Sequence, residues 1–417
     1  MLTHDQDHKS SQIRAITIPF YLAVAVVLLV CAMLTVGALV MSTTDNLEKS
    51  PRDVLNDWTG NNGWKATKGV RIRAALMKLP ARYVASLGAK QELPQLVIDI
   101  KFKHQENLRV KREIALRLGI LIQEEGDLVP ADVRTDGRQV AVKLRLKGDQ
   151  TDHFDSDKWS MRIEVKGDDH ILGMRRFSLQ HPKVRGYQAE PIFMATLRHM
   201  GVLGVRYQFA YVTINGVDKG IMAVEEHFSK ELLENQARRD GVFVRFDETN
   251  FWDFQRVGGA WRGSPYDNFR NSRIDTFRAK KVAETPALAA QYQTAVGLLR
   301  SFAAGNVTAS TVFDVDAIAS YLAVLELWGS WHSIQWNDMR FYFDPITMML
   351  EPIGYDANLM LHSDVREITL GREPIYAALL QDPSVKTAYF TKLRELCRDV
   401  VDGDLGSRLD SIQEELL

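Results

Sequence analysis

The chain has 417 residues, 46% of them hydrophobic and 25% charged, an ordinary balance for a folded protein and enough for one large domain or two. Lysine and arginine number 52 against 53 acids, so the formal charge of -1 predicts no nucleic-acid partner from bulk electrostatics. The two cysteines, Cys31 and Cys397, are too few for a multi-cysteine zinc site, and their positions do not suggest a disulfide.

Residues 1–14 form a polar tail. From Ala15 to Met41 the chain carries no charge and is apolar apart from Thr17, Pro19 and Thr35. These 27 residues exceed the roughly 20 that a helix needs to cross a bilayer, and no small-residue cleavage site follows. The reading is a single-pass membrane anchor at 15–41. Its orientation is left open by the flanks: Lys9 and Arg14 precede it, and Lys49 and Arg52 follow it among acids. A short N-terminal tail favours an extracytoplasmic domain. Against this, seven basic residues and no acid fall between Lys65 and Lys90, which suits either anionic lipid on a cytoplasmic face or the solvated side of a helix. Residues 42–92 are thus a basic juxtamembrane linker with some helix, and the soluble domain runs from 93 to 417.

Strands open that domain. Leu96–Phe102 and Val140–Leu146 alternate apolar and polar residues, Asn107–Leu118 has helical spacing, and Lys158–Val165 is a further strand. Lys147, Lys158 and Arg162 surround the glycine-bearing loop Lys147-Gly148-Asp149-Gln150, a pattern that suits phosphate groups or the solvent face of a sheet. Gln188–Met200 is an amphipathic helix. Tyr207–Ile214, Asn215-Gly216 and Gly220–Glu226 make a hairpin with a two-residue turn, leading into a helix over Ser229–Arg239. Gly241–Phe246 is a strand, Asn250–Phe277 a long loop, and Thr285–Ala304 and Val315–Trp328 are helices.

A second hairpin follows. Met339–Phe343 and Met348–Ile353 flank the turn Asp344-Pro345-Ile346-Thr347, with His332 and Asn337 before it and Asp356 and Asn358 after it. Folding back brings Asn337 and Asp356 to one end of the hairpin, where amide and carboxylate oxygens suit a hard cation or merely cap two turns. Helices over Glu373–Leu380 and Lys386–Val401 and a charged stretch end the chain.

From about Leu93 to Asn358 the order of these blocks resembles the spore coat protein H (CotH) kinase-like family. Lys147-Gly148-Asp149-Gln150 matches that family's Arg-Gly-Asn-Ser loop, and Lys158-Trp159-Ser160-Met161-Arg162 its Lys-Lys-Ser-Tyr strand. Asn215-Gly216 through Gly220 to Glu226 matches its Asn-Gly hairpin, and His332 to Asn337 with Tyr355-Asp356-Ala357-Asn358 its metal-binding segment. The resemblance implies an α+β, atypical protein-kinase-like fold behind the anchor. It implies ATP with Mg or Mn, Lys147, Lys158, Arg162 and Glu226 on the nucleotide (Lys158 and Glu226 as the phosphate-orienting pair), and Asn337 and Asp356 on the metal. His332 stands where the family's catalytic aspartate is expected, and Asn358 replaces a second acid. Histidine is still able to take a proton from a hydroxyl. The expectation is a membrane-anchored phosphotransferase of the bacterial inner membrane acting on a protein or glycan. The alternative is an inactive kinase-like scaffold or binding protein of the cell envelope. A third reading, a metal-dependent hydrolase using His332, Asp356 and His362, matches no zinc spacing.

Overall fold

Val140, Val142, Leu144 and Leu146 alternate with Lys143 and Arg145, and this alternation decides the first layer of the structure. The computed structural model describes residues 93–257, 266, 268–359 and 373–416. All of them fall in one unit, Ala89–Leu417. The apolar run 15–41, the basic run 65–90 and His362 lie outside the described residues, among which no helix is long and apolar enough to cross a membrane.

Strands β1 (Gln95–Asp99), β2 (Val129–Thr135), β3 (Arg138–Leu146), β4 (Met161–Val165), β5 (Arg176–Gln180), β7 (Tyr207–Ile214) and β8 (Val217–Glu226) close into a barrel in the order β1-β2-β3-β4-β5-β8-β7. The inward residues of β3 meet Ile98, Val133, Ile163, Phe177, Val212 and Val224 in one core. Closure removes the exposed strand edges that an open sheet would leave. The sheet is antiparallel throughout except where β1 pairs parallel with β7 to complete the ring. Asn215 and Gly216 both have positive φ (48° and 76°), as the tight turn between β7 and β8 demands.

Three sequence readings need correction here. Phe102 opens helix α1 (Phe102–Leu118) instead of ending β1, so the helix begins a turn and a half earlier than its apolar spacing suggests. β4 begins only at Met161; Lys158 sits before it, in the segment that links β3 and β4. The stretch read as a long loop, Asn250–Phe277, contains helix α4 (Thr249–Arg256) and strand β10 (Ile274–Thr276), whose short length gives too few repeats for a period to show.

The second sheet has the order β10-β9-β11-β12-β6, built from β9 (Phe243–Phe246), β11 (Arg340–Phe343), β12 (Leu350–Gly354) and β6 (Leu203–Gly204). Helices α2 (Ala189–His199), α6 (Pro286–Ala303), α8 (Val315–Trp328) and α10 (Pro383–Asp402) supply its core, with Phe193, Leu299, Leu322 and Leu396 fully buried. Helix α8 is apolar nearly all round and central, as its composition predicts. The chain leaves the barrel after β5 for α2 and β6, returns for β7 and β8, and passes to the second sheet again at His227–Ser229, before α3 (Lys230–Asn235).

Candidate active site

A cleft of about 1360 Å³ lies between the barrel and the second sheet. Its upper wall comes from the outward face of the barrel, for a reason visible in the strand period. Met222 and Val224 point into the barrel core, so Ala223 and Glu225 of the same strand face the second core. By the same alternation Arg145 and Lys147 leave the barrel interior to Leu144 and Leu146.

On that wall Lys147 Nζ lies 2.5 Å from Glu225 Oε2, and both side chains are buried (7% and 2% exposed). Gln180 completes the group: its Oε1 accepts from Lys147 Nζ at 3.2 Å, and its Nε2 donates to Glu225 Oε2 at 3.0 Å. Burial lowers the lysine's pKa, with Glu225 opposing the shift. Glu225 Oε1 is buried and has no hydrogen-bond partner. A buried lysine–carboxylate pair of this kind holds the ammonium in one place, which is what a phosphate-orienting lysine requires.

The expected pair, Lys158 with Glu226, is not brought together. Lys158 Nζ donates to Ile221 O at 3.1 Å on the outside of the barrel, and the Glu226 carboxylate is held by Arg206 through Nη2 at 2.5 Å and Nε at 2.9 Å. Neither residue lines the cleft. Glu225 and Glu226 are neighbours in sequence but lie on opposite faces of a strand, so choosing the wrong one of the two inverts the assignment. The alternation of Gly220–Glu226 puts them on opposite faces without saying which face looks into the cleft.

Gly148, next to Lys147, has φ +103°, and a Cβ there would fall 2.2 Å from the His153 ring. The His153 Nδ1 in turn lies 3.1 Å from Ser160 Oγ, so the ring is braced from below. Gly148→Ala is therefore expected to destabilise the protein by about 2 kcal/mol or more, from left-handed backbone strain and overpacking together. Denaturant unfolding would read the loss, and an unchanged midpoint would show that the loop yields freely.

The lower wall carries the second cluster. Asn337 lies three residues before Arg340 and Asp356 three residues after its register partner Ile353, and both line the cleft. Asp356 has φ 52°, a conformation aspartate tolerates better than most residues. The turn is pinned from several sides: Ser330 Oγ donates to Ala357 O at 2.7 Å, Ser333 Oγ to Tyr355 O at 3.1 Å, and Ala357 N to Glu190 Oε2 at 3.1 Å. Burial pushes the Glu190 carboxyl up to about 8, with Arg185 opposing.

His332, Asp338 and Asp356 each offer one ligand atom within 4.8 Å of the others. His332 Nδ1 lies 3.4 Å from Asp338 Oδ2 and 3.8 Å from Asp356 Oδ1. Arg185 Nη2 binds Asp356 Oδ2 at 2.7 Å, and Asp356 Oδ1 is buried without a hydrogen-bond partner. Burial raises the Asp338 carboxyl to about 7, partly offset by His332. Asp356 goes the other way: burial disfavours its charge, but Arg185 and His332 more than compensate and hold it low. An orphaned carboxylate oxygen beside a second acid and an imidazole fits a divalent cation. Asn337 lines the same cleft. Asp338 was missed in the sequence although it directly follows Asn337; a lone acid before a strand carries no periodic signal.

Arg162 lies one strand over from Lys147, directly across β3–β4 from Arg145. Arg185, Glu190, Gln180 and Glu225 also escaped the sequence reading, because their partners are 33 to 171 residues away.

A buried lysine–glutamate pair and an acid–histidine cluster thus line one cleft of an α+β fold, between a barrel-like sheet and a second sheet backed by helices. A family model described as CotH kinase protein matches residues 144–416, well over half of the chain, and the chain belongs to this family. No curated protein matches it.

Proposed function

We propose that the protein is a metal-dependent phosphotransferase that moves the γ-phosphate of a nucleoside triphosphate to an acceptor hydroxyl, and that residues 15–41 tether it to a bacterial inner membrane. The observation that carries the chemistry is the position of Lys147–Glu225 and of Asp356, Asp338 and His332 on one cleft. Lys147, fixed by Glu225 and Gln180, binds and orients phosphate oxygens, and the Gly148 loop allows their close approach. Asp356 and Asp338, with Asn337 beside them, would hold Mg or Mn, whose charge neutralises that on the transferred phosphate. Arg185 keeps Asp356 ionised and aimed. With its proton on Nδ1, His332 donates to Asp356 O at 3.2 Å and keeps the Nε2 lone pair to accept the proton of the acceptor hydroxyl. Lys158 and Glu226 have no part in this reading.

Proton and metal compete for Asp338. Its carboxyl ionises only as pH rises through about 7, so divalent-metal affinity is expected to rise between pH 6 and pH 8. The metal-free protein should behave oppositely. A carboxyl with a raised folded pKa contributes stability below the unfolded value, and that contribution is lost as pH climbs through about 7. Mn²⁺ titrations and denaturation curves at the two pH values check both signs.

The test of function is transfer of label from [γ-³²P]nucleotide by the full-length chain with Mn²⁺ or Mg²⁺, beside calorimetric binding. Binding and transfer together support the reading. Metal-dependent binding without transfer favours the second reading, an inactive nucleotide-binding scaffold, for which the observation is His332 in the place where the family resemblance expects aspartate. Absence of binding defeats both.

A further inference from the structure

Helix α1 is the first helix of the domain, reached after the single strand β1. Its inner side is spent on the barrel: Leu108 and Ala115 are buried in the barrel core. Its outer side is unusually apolar. Phe102 (82% exposed), Val110, Ile114 and Leu118 all stand in solvent, and no other element of the described residues carries so many exposed large apolar side chains. With Glu106 they form one row at steps of four residues, which runs about 24 Å along the outward face. Glu106 does not interrupt the row with free charge, because Arg109 binds both it and Glu113.

The helix is also cationic in a divided way. Lys111 is held by Glu124 and Asp127, and Arg112 donates to Phe154 O at 2.7 Å and lies over the Trp159 ring. Lys101, Lys103 and Arg117 stand exposed and make no ion pair among the described residues. Free cations beside an apolar row on a convex surface suit an anionic bilayer surface. The start of the helix is rigidly placed: Asn215 Nδ2 donates to Ile100 O at 2.9 Å and to Gln105 Oε1 at 2.7 Å.

Charge decides against the other occupants. Residues 65–90 hold seven basic residues and no acid, so they would be repelled by Lys103 and Arg117. A second copy packed on the same row would bring like charges together, because a two-fold contact pairs a patch with itself.

We infer that α1 lies on the surface of the bilayer, with Phe102, Val110, Ile114 and Leu118 among the headgroups and Lys101, Lys103 and Arg117 on anionic lipid. The inference builds on the tether reading above. A tether alone leaves the domain free to turn, whereas a second contact along a helix fixes how the cleft faces the membrane.

The experiment uses the full-length chain in vesicles, with Cys31→Ser and Cys397→Ser, and a nitroxide on Ile114→Cys or, as control, on Val401→Cys of α10. Relaxation by oxygen against a nickel chelate reads depth. In phosphatidylcholine mixed with phosphatidylglycerol, the Ile114 label is expected about 5–10 Å into the headgroup region and the Val401 label in water. In phosphatidylcholine alone, or at about 1 M KCl where the Debye length falls to about 3 Å, the Ile114 label should return to water. Lys103→Glu/Arg117→Glu should return it to water in the mixed vesicles. A label in water in both lipids overturns the inference. So does one shielded in both lipids and indifferent to charge reversal, which means that another segment of the chain covers the row. Spin–spin broadening means that a second copy does, and overturns it too. Flotation separates the tether: a chain that floats only with anionic vesicles, its Ile114 label at depth, keeps this surface and loses the anchor at 15–41. A chain that floats with neither lipid loses both.

Discussion

Asp356→Asn should abolish phosphate transfer and weaken divalent-metal binding by about a hundredfold or more, because it removes one of two carboxylates from a buried donor set. It should also destabilise the fold. Arg185 is 8% exposed at its side chain and loses its closest counter-charge, and breaking a buried pair from one side typically removes about 3–5 kcal/mol. The two effects are separable. Asp338→Asn deletes the other carboxylate without stranding a cation, and burial already makes that carboxyl resist ionisation until pH rises to about 7. That variant should lose metal while keeping, or slightly improving, metal-free stability. Mn²⁺ titration and denaturant unfolding of both variants give four numbers. Should Asp338→Asn bind metal as the parent does, the donor set is wrong; should Asp356→Asn unfold at the parent midpoint, the Arg185 pair is of no structural weight.

Lys147→Met comes next in size. It leaves the Glu225 carboxylate buried with only Gln180 Nε2 to satisfy it, again a loss of about 3–5 kcal/mol. Transfer should fall by about a thousandfold through loss of the phosphate-orienting charge. The double variant Lys147→Met/Glu225→Leu replaces both charges by apolar groups and is expected to regain most of the stability, since a buried ion pair exchanged for hydrophobic groups is often close to neutral. It should regain none of the transfer. Recovery of both would mean that Lys147 only stabilises the fold; recovery of neither would point to a wider rearrangement of the barrel wall. Lys158→Met serves as the contrast. Its ammonium makes one bond, to Ile221 O on an exposed face, and both stability and transfer should stay near the parent values.

Local pattern already contained much of this molecule. The alternation of Val140–Leu146, the Asn215-Gly216 turn and the apolar helix Val315–Trp328 lead to the observed elements, because side-chain period and turn chemistry act over a few residues. The hairpin around Asp344–Thr347 formed as read, and Asn337 and Asp356, beyond its two strands, line the same cleft. The family resemblance rested on the same short blocks, and the CotH kinase match over residues 144–416 agrees with it.

What the pattern could not decide was which faces meet. Lys147 and Glu225 are 78 residues apart, and Arg185 and Asp356 are 171 apart. Their pairing depends on β5 lying beside β8 and on β1 closing parallel against β7, choices made by burial of a whole core and not by any one strand. A period of two distinguishes the two faces of β8 but does not say which face looks into the barrel and which towards the second sheet. Glu225 and Glu226 were therefore equal in the sequence and opposite in the structure. Burial then separated two acids of one motif, holding Asp356 charged against Arg185 and Asp338 protonated until pH rises to about 7.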